Sequence, residues 1–225
     1  MSEPYQTGHR KRLRERFLNG GSTAVADYEL LEMLLFAAKP RGDVKPLARA
    51  LMQHFGNFAN VIHAPPAQLA DVEGVGSAVI ASIKLVEASC QQLLREQIHN
   101  APIINSWTKL LDYCQLKMGH QTREEFRILF LNNKNKLIAD EVQQTGTVDH
   151  TPVYPREVMK RALELGASAL ILSHNHPSGD PTPSKADINM TVNIVEAANA
   201  LNIRIHDHLI IAKHKHYSFK SNGLL

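Results

Sequence analysis

Up to about residue 100 the apolar positions recur at helical spacing, and no stretch alternates as a strand would. In YELLEMLLFAA (28–38), Leu30, Leu31, Leu34 and Leu35 share one helical face, with Asp27 as the expected N-cap and Pro40 ending the pattern. VKPLARALMQHFG (44–56) predicts a second helix closed by Gly56, and NFANVIHA (57–64) a short third. Residues 67–98 predict two further helices joined at Glu73-Gly74-Val75-Gly76, the second running from about Ser77 to Gln97. The pattern changes at HNAPI (99–103), a polar, proline-bearing stretch that suits a domain boundary. Beyond it, FRILFLN (126–132) predicts a strand apolar on both faces, and Asn133-Lys134-Asn135-Lys136 a hairpin turn back into LIADEV (137–142). PREVMKRALEL (155–165) predicts a helix with Pro155 in its first turn and Gly166 at its end. ALILS (169–173) and IRIHDHLIIA (203–212) predict strands, with a helix over 184–201 between them. The expected fold class is therefore α/β (α+β): an all-helical domain over 1–98 and a mixed sheet flanked by helices over 103–225.

Composition narrows the class. The chain has 225 residues, 44% hydrophobic and 21% charged, which suits a globular protein and not a disordered one. The apolar runs, Ala169–Leu172 and Leu209–Ala212 among them, all fall far short of the roughly 20 residues that span a bilayer. No membrane association is expected, and the N-terminus lacks a signal-type apolar stretch, so the expected location is cytoplasmic. Cys90 and Cys114 do not amount to a disulfide framework. The net charge of +3 is modest, but Arg10, Lys11, Arg12, Arg14 and Arg16 crowd together against Glu15 alone, a patch able either to meet phosphates or to form a solvated helix face.

The chemistry concentrates in SHNHPSGDPTPSKAD (173–187). His174 and His176 end an apolar strand two residues apart, so in extended chain they point to the same side. PSGDPTP packs three prolines and a glycine into seven residues, which makes it a stiff turning loop. The loop delivers Ser184 as a helix N-cap, with Asp187 three residues on in a capping box. Two imidazoles and a carboxylate with a vacant fourth position are the donor set of catalytic zinc; iron(II) uses the same ligands. No cysteine pair or fourth ligand suggests a structural site. His206-Asp207-His208 lies inside a strand with no such loop after it and reads as structural, while His214 and His216 read as exposed. A hydrolytic site also needs a general base. Glu124, Glu125, Glu141, Glu157 and Glu164 are available; Glu124 and Glu125 open a strand and point to opposite faces, so at most one of them fits.

The segment His174-Asn175-His176-Pro177, followed by Ser184-Lys185-Ala186-Asp187, resembles the JAMM metalloprotease motif of MPN domains. Together with FRILFLN, GTVDHTPVYPREVMKRALELGASALILSHNHPSGDPTPSKAD and IRIHDHLII, it is similar to the RadC family of bacterial proteins (UPF0758 type) over essentially the whole chain. The resemblance implies an MPN-type fold over about 103–225, zinc held by His174, His176 and Asp187, Glu125 as the matching base ahead of Glu124, and Ser184 helping to hold an oxyanion. Asn175 stands where eukaryotic-type members usually carry Ser or Thr, which weakens any transfer of deubiquitinating specificity. LADVEGVGSAVIASIKL resembles a helix-hairpin-helix, in which Gly74 and Gly76 would let backbone N–H groups approach a phosphate.

These readings lead to a zinc-dependent metallohydrolase that cleaves amide bonds in a peptide or isopeptide through a metal-activated water. The alternative is a DNA-associated RadC-type protein in which the MPN domain is a scaffold or regulator and DNA contacts the helical domain. A metal nuclease of HNH type is disfavoured, because in those enzymes the named residues are spread over a ββα unit.

Overall fold

The computed structural model describes residues 8–99, 102–103, 107–146 and 153–225. The chain divides into two compact units, Met1–Cys90 and Gln91–Leu225. The division falls within a long helix.

In the first unit, helices α1 (His9–Gly20), α2 (Asp27–Ala38), α3 (Lys45–Phe55), α4 (Phe58–His63) and α5 (Pro66–Ala70) precede α6 (Ser77–His99), which runs on into the second. Leu31 and Leu35 of α2 are fully buried with Ala48, Leu51, Val61, Leu69 and Ile83. The N-cap of α2 is Ala26 and not Asp27; its N–H donates to the Glu29 carboxylate at 3.0 Å, so Glu29 does the capping that Asp27 was expected to do. Gly56 ends α3 as expected, at φ 89°, a left-handed conformation that costs glycine little.

The basic residues of α1 are largely engaged within this unit. Arg10 donates to the carbonyls of Lys39, Pro40 and Gly42, each at 2.8 Å, and lies over the Phe36 ring, while Arg16 pairs with Glu29 at 2.5 Å. Their charge closes the α1–α2 corner.

A second polar cluster ties α4 to α6. Lys84 donates to the Ile62 and Ala64 carbonyls at the end of α4 and pairs with Glu87, which also meets His63 Nδ1 at 3.0 Å. Burial alone would raise the Glu87 carboxyl, but its bonds to His63 and Lys84 outweigh burial and hold it below the usual carboxylate range. A carboxyl depressed in the fold stabilises above its unfolded value, and that stability is lost as pH falls through the folded one. Glu87→Gln is therefore expected to destabilise by about 1–2 kcal/mol at pH 7, with the difference shrinking as pH falls below the ordinary carboxylate range, as measured by thermal unfolding across that pH range.

The second unit adds α7 (Trp107–Met118), β1 (Glu124–Leu131), β2 (Leu137–Gly146), α8 (Pro155–Glu164), β3 (Ala169–Asn175), α9 (Lys185–Ala200), β4 (Arg204–Ala212) and β5 (Lys215–Ser218). The sheet order is β2-β1-β3-β4-β5, with β3 and β4 parallel and every other pair antiparallel. Sequence patterning had anticipated neither α7 nor β5. Helix α7 covers one face of the sheet, where Leu110, Tyr113, Cys114 and Met118 meet Leu129, Leu131, Ile171, Leu209 and Ile211. Helices α8 and α9 cover the other, with Val158, Ala162 and Ile194 against Phe126, Ile128, Phe130, Leu170 and Leu172. Every residue of β3 is buried, as expected of a strand covered on both faces. Among the described residues no helix is long and apolar enough to cross a membrane.

Candidate metal centre

The site forms where β1 begins and β3 ends. Antiparallel pairing sets Phe126 opposite His174, so the start of β1 lies beside the end of β3. The two strands share facing parity there: Phe126 stacks on His174 with centroids 6.1 Å apart, and Glu124, two residues earlier, projects to the same face. After His176 the proline-rich loop leads into α9. Ser184 caps that helix by accepting from the Asp187 N–H at 3.1 Å, and Asp187 Oδ2 accepts from the Ser184 N–H at 2.7 Å. The capping box anticipated from the sequence is thus formed, and it pins the Asp187 carboxylate against the strand end.

Ligand-capable atoms of Glu124, His174, His176 and Asp187 all lie within 4.8 Å of one another. The Nε2 atoms of the two histidines are 3.0 Å apart, Asp187 Oδ1 is 3.4 Å from His174 Nε2, and Oδ2 is 3.7 Å from His176 Nε2. Two donors at tetrahedral positions around zinc lie about 3.3 Å apart. These separations bracket that value.

The hydrogen-bond pattern assigns the tautomers. The Thr191 hydroxyl donates to the Asp187 carbonyl at 2.6 Å, so it must accept from His208 Nδ1–H, also at 2.6 Å. His208 Nε2 is then an acceptor, and His174 Nδ1–H donates to it at 2.8 Å. His176 Nδ1–H donates to the Asp180 carbonyl at 2.8 Å. Both remaining Nε2 lone pairs therefore face each other at 3.0 Å, an arrangement that only a proton or a cation between them relieves. The donor set fits a divalent ion.

Protonation follows the same logic. Burial pushes His174 down to about 4, and burial holds His208 far below its ordinary value. Hydrogen bonding to Asp187 raises His176. Burial would raise Asp187, but His176, the nearby His174 and the Ser184 bonds outweigh it and keep the carboxyl well below the usual carboxylate range. The centre thus has a neutral, buried imidazole beside an ionised carboxylate.

Glu125, the residue expected as the base, is not at the cluster. Glu125 points to the other face, where its Oε1 accepts from Arg127 Nε and Nη2 at 3.0 and 2.7 Å. Arg127 also reaches Asp140 at 2.6 Å, and Tyr113 donates to the same carboxylate. Glu125 is committed to a buried ion-pair network, and Glu124 takes its place at the cluster. The other glutamates lie elsewhere: Glu141 and Glu164 on Arg161, Glu157 on Arg156. Ser184 is exposed at the rim. His208, read from the sequence as structural, stands directly behind His174, with Phe219 stacked on it at 4.5 Å.

Residues 104–224 match the family model described as the RadC-like JAB domain. The chain belongs to the RadC-like JAB family. Residues 6–81 match the model described as UPF0758 N-terminal. The chain is 61% identical to a UPF0758 protein of Rhodobacter capsulatus over 95% of its own length and all of that protein. It is 58% identical to a UPF0758 protein of Ruegeria pomeroyi over 98% of this chain and 99% of the other. The RadC-like JAB match spans every residue of the four-donor cluster.

Proposed function

We propose that this chain is a zinc-dependent hydrolase that cleaves an amide bond in a peptide or isopeptide. The observation that carries the reading is the convergence of Glu124, His174, His176 and Asp187 within 4.8 Å at the rim of a sheet. Zinc held by the two histidines and Asp187 would lower the pKa of a coordinated water to near 7 and polarise a carbonyl. Glu124 then accepts the water's proton and returns it to the leaving amine. Ser184 keeps its hydroxyl proton while its oxygen accepts the Asp187 N–H, so it is left to donate to a developing oxyanion. Phe126 and the buried His208 keep water from the back of the centre.

Two unpaired cysteines, Cys114 buried and Cys90 exposed, fit the reducing cytoplasm as the working compartment. The alternative role as a DNA-associated scaffold has less support, because Arg10 and Arg16 spend their charge inside the helical unit.

Metal analysis of purified protein tests the reading. About one zinc per chain is expected, and the His174→Ala/His176→Ala variant should retain none. Equal, negligible zinc in both samples would sink it.

A further inference from the structure

We propose that Asn175 is the positioning residue for Glu124. Asn175 is the last residue of β3, lies between two candidate ligands and is 1% exposed. Its side chain does not face the cluster. Its Oδ1 accepts from the Glu125 N–H at 2.8 Å, and its Nδ2 donates to the Arg123 carbonyl at 3.0 Å. Those two backbone groups flank Glu124 on either side. The main-chain ladder between β1 and β3 ends at the Phe126–His174 pair, and beyond it the β3 chain turns into the proline-rich loop. The Asn175 amide takes over the pairing for one more step, donor to acceptor and acceptor to donor, as a backbone would.

On its other edge, this end of β1 is held by β2, where Glu124 pairs with Gly146 and Glu125 with Thr145. A register shift interrupts that ladder just after Phe126, so Asn175 ties the backbone around Glu124 from the side opposite β2, next to an irregularity. Only an amide suits the job. A carboxylate has no N–H for the Arg123 carbonyl, and a hydroxyl is too short to bridge both groups. Asn175 thereby couples the strand that carries His174 to the carboxylate across from it, with no contact to a cation of its own.

The inference rests on the proposed metal centre and is tested with zinc alone. Zinc affinity is measured on the full chain, by competition with a chromophoric chelator, for the parent, Glu124→Ala, Asn175→Ala and the double variant. Loss of a group supporting the ligand shell typically weakens metal binding by about 10–100-fold. Glu124→Ala is expected to lose about tenfold and Asn175→Ala about three- to tenfold. The double variant should be no weaker than Glu124→Ala, because Asn175 acts through that carboxylate. Asn175→Asp, which keeps the volume and acceptor oxygen and lacks the N–H donors, should repeat the pattern if the alanine variant fails to fold. Amide exchange should quicken at Glu125 in Asn175→Ala while Ile128–Leu131 stay protected.

Equal losses in both backgrounds would mean a generally structural role and would overturn the proposal. So would a zinc affinity indifferent to Asn175 or to Glu124. Zinc bound by the parent with an additive cycle defeats this inference alone; no zinc on the parent defeats the proposed function as well.

Discussion

Glu124→Gln will reduce amide hydrolysis about 10²–10⁴-fold at saturating zinc, whereas Glu125→Gln will leave turnover in place and cost stability instead. The two glutamates are neighbours on β1 with opposite surroundings. Glu124 is in the four-donor cluster, and its amide counterpart has no lone pair basic enough to take a proton from water. Glu125 balances Arg127, which is 6% exposed and holds Asp140 as well. Neutralising Glu125 leaves a buried guanidinium with one carboxylate in place of two, a loss of about 1–3 kcal/mol. Cleavage of a quenched-fluorescent peptide library, run beside thermal unfolding of both variants, separates the effects. Retained cleavage by Glu124→Gln, with cleavage lost in Glu125→Gln, would exchange the roles of the two glutamates.

The second large effect is expected at His208. Replacing it by phenylalanine preserves a ring against Phe219 but removes the acceptor for His174 Nδ1–H. A buried donor left without a partner costs about 1–3 kcal/mol, and His174 is released from the orientation that aims Nε2 at the ion. Zinc affinity should fall about 10–100-fold, read by the same chelator competition. Thr191→Val breaks the chain one link further back and should show a smaller loss in the same direction. Unchanged affinity in His208→Phe would show that the His174 ring is held by packing alone.

These residues also mark where one-dimensional reading works and where it stops. His174, His176 and Asp187 are legible because their relation is local: strand parity fixes the pair, prolines stiffen the loop, and a capping box places the carboxylate. The choice between Glu124 and Glu125 is not local. It depends on which residue of β1 sits opposite His174, a register set across roughly fifty residues of intervening chain. His208 lies outside the four-donor cluster, as its structural reading expects, but its contact with His174 is illegible for a similar reason. Nothing around His206-Asp207-His208 announces a role; what assigns one is the pairing of β4 with β3 and the arrival of Thr191 from α9. Helix α7 has an apolar stripe in Leu110, Tyr113, Cys114 and Met118, but its start adjoins the polar boundary stretch, which masks it in the sequence. Strand β5 is four residues with one exposed histidine, His216, too short to carry a periodicity.

The candidate centre draws on the first residue of β1, the tip of β3 and the opening turn of α9, segments that meet where β1 pairs with β3 and the helix packs beside them. On the proposed reading a bound ion would tie β1, β3 and α9 together, so its affinity would also report how well that junction is formed.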